Sequence, residues 1–186
     1  MATAVVRAWA LISMLLANLA DAVAAEVPPP AYQLIALSHG VPSEVLYSIA
    51  LQESGTRIRG QLVPWPWTLN VAGAGYRFAT RADACKALMI ALATVGTARV
   101  DVGLGQTNIR ANGHRYGSPC EGLDPYKNLA VTAAILAEQK ARGGTWIEAA
   151  GRYHRPAGGV PAARYRASFA KHLSRVTGIN LLVTTP

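Results

Sequence analysis

The stretch Ser43-Glu44-Val45-Leu46-Tyr47-Ser48-Ile49-Ala50-Leu51-Gln52-Glu53-Ser54-Gly55 decides how this chain is read. Pro42 before Ser43 is a helix-opening signal, and Leu46, Ile49, Ala50 and Glu53 fall at i, i+3, i+4 and i+7. One face of the predicted helix is therefore apolar until it ends in a carboxylate. Desolvation against those neighbours raises the pKa of such an acid, and the last helical turn, where the macrodipole disfavours negative charge, raises it further. Gly55 suits the C′ position that closes the helix. A carboxyl group kept protonated near neutrality can donate a proton to a glycosidic oxygen. The competing reading pairs Glu53 with Arg57 or Arg59 at the surface, and position alone does not choose between them.

Working outward, Ala31 to His39 reads as a short helix stopped by Gly40. The texture changes between Gly60 and Phe78, where Pro64-Trp65-Pro66-Trp67-Thr68-Leu69-Asn70-Val71 and Gly73-Ala74-Gly75-Tyr76 suit a small β hairpin or flap. Thr80 with Asp83 caps a helix running to about Gly96. Asp124-Pro125 opens what reads as the longest helix, with Leu129, Ala133, Leu136 and Ala137 on one face and an end near Gly143-Gly144. Thr145 and Glu148 form a capping box for a helix to Tyr153. A final helix carries Tyr165, Phe169 and Leu173 before Gly178. The expected class is mainly α, with about six helices around a small β element, and no internal repeat is present.

The first 25 residues read as a cleavable secretory signal: Arg7, then the apolar run Ala8 to Ala17, then Ala22-Val23-Ala24-Ala25, with cleavage after Ala24 or Ala25. The apolar run falls short of the roughly 20 residues a spanning helix needs. Cleavage after Ala25 would leave 161 residues, 17 of them basic and 9 acidic, with the net charge of +8 unchanged. That length makes one domain, residues 26–178, followed by a tail, 179–186. An exported chain with two cysteines is expected to pair them, so Cys85 and Cys120 are expected to form a disulfide in the periplasm. Neither has the neighbouring ligands that a metal site needs. The basic balance reads as attraction to a polyanionic surface or as a solvated face. Arg164, Arg166, Lys171 and Arg175 gather on the last helix, but export and the scatter of the other arginines argue against nucleic acid.

Four blocks occur in order: Gln52-Glu53-Ser54-Gly55, Gly103-Leu104-Gly105-Gln106, Asp124-Pro125 with Asn128-Leu129, and Tyr153-His154. Together they resemble the soluble lytic transglycosylase domain, over about Ala31 to Arg155. The resemblance implies a lysozyme-like α+β fold and peptidoglycan glycan strands as substrate. It also implies one glutamate, Glu53, acting as acid and then base, with no metal or organic cofactor. By the same resemblance Ser54 orients the glutamate or the substrate, Gln106 lines the cleft and Tyr153 sits near the acid. Gly105 stands where methionine is common. His154 stands where many members carry asparagine, a variant that resembles the transglycosylases of conjugation and type IV secretion machines; such a machine is the expected partner of a monomer.

From the residues themselves, Gly103 and Gly105 would let backbone amides approach a ligand, and Gln106 offers both a donor and an acceptor to sugars. Trp65, Trp67 and Tyr76 suit either a sugar-stacking wall or the core. A two-carboxylate glycosidase would need a second acid, and Asp101 is the best candidate for it. A muramidase-type hydrolase and a non-catalytic wall-binding assembly protein therefore stand as alternatives.

Overall fold

The computed structural model describes residues 25–181, so the expected signal segment up to Ala24 and the last five residues of the expected tail lie outside the described residues. In chain order the helices are α1 (Pro30–Ser38), α2 (Ser43–Ser54), α3 (Arg81–Val95), α4 (Ile109–Asn112), α5 (Pro125–Ala141), α6 (Trp146–His154) and α7 (Gly159–Thr177). The strands are β1 (Gly55–Ile58), β2 (Gln61–Pro64), β3 (Thr68–Val71), β4 (Ala74–Arg77), β5 (Val100–Val102) and β6 (Thr107–Asn108). The fold is mainly α, with more β structure than the sequence suggested. β1 and β2 pair as one hairpin, and a separate antiparallel sheet runs β4-β3-β5-β6. Both hairpin turns have two residues, Arg59-Gly60 and Ala72-Gly73, all with positive φ, the geometry whose twist matches the flanking strands.

Local chemistry fixes the helix starts. Thr80 accepts from the Asp83 amide, Asp124 from the amides of Tyr126 and Lys127, and Thr145 and Glu148 form the full capping box. The longest helix is α7 with 19 residues, not α5 with 17: Pro161 falls in its first turn, where proline is tolerated, and no glycine or proline follows until the left-handed Gly178. Gly55 does not take the left-handed form expected of it. Its φ is −54°, and it leads straight into β1; a Cβ there would lie 2.2 Å from the Leu51 carbonyl oxygen, so what this position requires is absence of a side chain.

Two apolar cores form. The larger gathers Leu46, Ile49 and Ala50 of α2 with Leu129 and Leu136 of α5 and Phe169 of α7. The smaller joins Leu69 of β3 and Val100 and Val102 of β5 to Leu88 of α3 and Leu123. The disulfide between Cys85 and Cys120 forms as expected, fastening α3 to the turn that precedes α5. Arg175, one of the four basic residues on the last helix, is not a free cation: it binds Glu26 through Nε at 2.8 Å, and Glu26 also accepts from Tyr47. Among the described residues no single helix is long and apolar enough to cross a membrane.

Candidate active site

The end of α2 lies where the two cores meet, beside a cavity of about 550 Å³ lined by Glu53, Asp101, Gln106, Asn108, Tyr153 and His154 among others. Glu53 pairs with neither Arg57 nor Arg59; Arg57 bonds the Gly60 carbonyl within its own hairpin. Instead Tyr165 of α7 donates to Glu53 Oε1 at 2.6 Å. One turn along α7, Ser168 donates to Gln52 Oε1 at 2.8 Å, so two bonds clamp the last turn of α2. Glu53 keeps part of its surface toward the cavity, and elsewhere protein atoms enclose it. This desolvation pushes its pKa up to about 7; the Tyr165 hydrogen bond opposes the rise and the nearby Asp101 charge adds to it.

Asp101 on β5 accepts from Asn108 Nδ2 at 2.8 Å, and burial raises its pKa too. It lines the same cavity as Glu53, as a second carboxyl group carried on the sheet.

The loop 103–106 between β5 and β6 brings Gln106 to the cavity. Asn128, fully buried on α5, organises it: its side-chain oxygen accepts from the Gly105 amide at 2.8 Å and its Nδ2 faces the carbonyls of Val102 and Gly122 at 3.0 Å each. A Cβ on Gly103 would lie 2.4 Å from Asn128 Nδ2, and one on Gly105 would lie 2.0 Å from Thr132 Oγ1. The space that a larger residue would need at 105 is filled from α5, which accounts for glycine there. Tyr153 donates to the Gly105 carbonyl at 2.5 Å, tying α6 to the loop. Gln106, with φ 45°, is held by its own Nε2, which donates to Gly103 O at 2.8 Å and Thr68 O at 3.1 Å.

The expected site residues thus fall into two groups. Glu53, Gln106, Tyr153 and His154 converge on the cavity. Ser54 does not reach it: the residue is fully buried, and its hydroxyl donates to Ala50 O at 3.0 Å and Leu104 O at 2.9 Å. These bonds tie the end of α2 to the loop that follows β5 and leave the hydroxyl nothing to offer a substrate. Of the two readings of Trp65, Trp67 and Tyr76, the stacking wall is not found at this cavity, and Trp67 packs against the smaller core. Trp65 packs edge-on against Trp67 at 5.8 Å and donates to the Phe78 carbonyl, while Tyr76 lies on the outer hairpin facing α3.

Tyr165 was missed as a functional residue because it reads as one of three apolar positions with Phe169 and Leu173. Its hydroxyl was the available signal, since a buried tyrosine seeks a polar partner. Asn128 carried a similar signal, an amide on the inner face of a core helix. Among the described residues no group of three or more histidine, cysteine, aspartate and glutamate side chains converges as a metal site would. The chain matches no family model, and comparisons with curated proteins and with solved structures likewise return no match.

Proposed function

We propose that this chain is an exported lytic transglycosylase that cuts the MurNAc-GlcNAc β-1,4 bond of peptidoglycan, with Glu53 as its single acid and base. One observation carries the reading: a carboxyl group with a pKa near 7 at the end of an apolar helix face, open on one side to a cavity with polar walls. A carboxyl group whose pKa is raised toward neutrality can both give and take a proton there. In the proposed reaction Glu53 gives its proton to the glycosidic oxygen as the bond from the muramyl C1 to that oxygen breaks. The muramyl C6 hydroxyl then attacks C1, and its proton passes to Glu53, restoring the acid. The product is a 1,6-anhydromuramyl end, and no water is consumed. Gln106 lines the cavity and, with both amide hydrogens held by Gly103 O and Thr68 O, keeps its side-chain oxygen as an acceptor for sugar hydroxyl or acetamido N–H groups. A lysozyme-like fold, an oxidising wall compartment and a role in local wall opening for a secretion or conjugation apparatus belong to this reading; the sequence blocks and the Cys85–Cys120 bond support it.

Asp101 favours a second reading. It shares the cavity with Glu53 and could activate a water, which would make the enzyme a muramidase-type hydrolase. Mass spectrometry of muropeptides released from purified sacculi separates the two. Transglycosylation gives ends lighter by one water than hydrolysis gives, whereas reducing ends together with loss of activity in Asp101→Asn would support the hydrolase. Release of neither product from intact sacculi would sink both.

A further inference from the structure

His154 is exposed at the end of α6, and its imidazole makes no hydrogen bond within the described residues. What holds it is a stack: its ring lies on that of Tyr165 with centroids 4.4 Å apart and planes 8° from parallel. Tyr165 is the buried donor to Glu53 Oε1 at 2.6 Å. The three residues come from three helices and form a continuous line from the surface to the acid. The turn 155–158 between α6 and α7, with positive φ at Gly158 and Gly159, folds α7 back so that a residue eleven positions on lies beneath the imidazole.

A phenol hydroxyl leaves its acceptor when the ring tilts about χ1, and a flat neighbour against the ring face blocks that tilt on its side. The stack suits a neutral imidazole. Partial burial and the adjacent Arg155 push the His154 pKa down, with Asp101 opposing them. The charged and titratable groups facing Glu53 are Tyr165 of α7, Asp101 of β5 and Tyr153 of α6; His154 touches it only through Tyr165.

We propose that His154 is a positioning residue: stacked on Tyr165, it holds the phenol hydroxyl on Glu53 and so fixes how the acid is presented to the cavity. This gives the Tyr153-His154 pair a role that a direct substrate contact does not require. The proposal rests on Glu53 being the working acid, but the brace itself can be read without any substrate.

The test is a ¹³C NMR titration of the Glu53 carboxyl in the full exported chain and in Y165F, H154A and H154F, each checked for native near-UV circular dichroism. Losing the Tyr165 donor removes a bond that favours the carboxylate, so Y165F should raise the Glu53 midpoint by roughly half a unit to one unit. H154A should shift it in the same direction by less, and H154F, which keeps a flat ring on Tyr165, should titrate like the parent. The proposal is overturned if Y165F shifts the midpoint and H154A does not, if H154F shifts it as far as H154A, or if none of the three moves it. Midpoints that follow the expected order in a chain that releases nothing from sacculi would overturn the proposed function and leave the brace standing. Cleavage of sacculi by a chain whose H154A variant titrates like the parent would do the reverse.

Discussion

Replacing Glu53 by glutamine should stabilise the protein, and should do so only at high pH. Burial holds the folded pKa at about 7 against an ordinary value of 4.5. The folded state therefore keeps its proton where the unfolded chain has lost it, and stability falls as pH rises from about 4.5 to about 7. Above that window the full cost of ionising a buried carboxyl is present, and below it none is. At about 1.36 kcal/mol per unit, the displacement corresponds to about 3 kcal/mol. Because Glu53 keeps some surface toward the cavity, solvent reduces this, and about 1 to 3 kcal/mol is the working figure. The glutamine retains an oxygen for the Tyr165 hydroxyl and has no charge to desolvate. Urea unfolding of parent and E53Q at pH 4 and pH 8 reads the effect. The two should be nearly equal at pH 4, while at pH 8 the variant should lead by that margin, with a Tm higher by roughly 3 to 10 °C. A variant that is no more stable at pH 8, or a difference that does not change with pH, would refute the reasoning.

Further outcomes follow from the same geometry. Activity needs protonated Glu53, so kcat/KM on sacculi should fall about tenfold per unit on the alkaline side of pH 7, and a flat profile to pH 9 would contradict the assignment. Reducing the Cys85–Cys120 bond, which closes a separation of 35 residues, should lower stability by about 4 kcal/mol in denaturant titration. Asn128→Ala should cost roughly 3 kcal/mol and lower activity as well, because it strands the Gly105 amide and the carbonyls of Val102 and Gly122; a thermal melt paired with a sacculus assay checks both. Phe169→Ala, at a fully buried position remote from the cavity lining, should cost about 3 to 5 kcal/mol while the Glu53 midpoint stays in place.

The helices were legible because their signals are local. Thr80 with Asp83, Asp124 with Pro125 and Thr145 with Glu148 each mark a start within four residues, and the apolar spacing of α2 places Glu53 on the inner face. The β5-β6 half of the second sheet was not, because these strands are three and two residues long: β5 exists by pairing with β3, some thirty residues away, and β6 by pairing with β5. The site divides in the same way. Glu53 announced itself by ending an apolar face, but its hydrogen-bond donor is 112 residues distant and looked like core. The resemblance gave Ser54 a part in orienting the glutamate or the substrate, and the hydroxyl does not reach the cavity. In a helix the next residue points about 100° away, and here that direction is into the protein. The choice between a sugar wall and the core for the tryptophans was open for a similar reason, since composition shows that aromatic surface exists but not which cavity it faces.

The most direct test of the central claim is to incubate purified sacculi with the parent and with E53Q at equal concentration near pH 6, after confirming that both are folded, and to quantify the glycan fragments released. The account predicts steady release of anhydromuropeptides by the parent and none above background by the variant. Equal release by the two would contradict it.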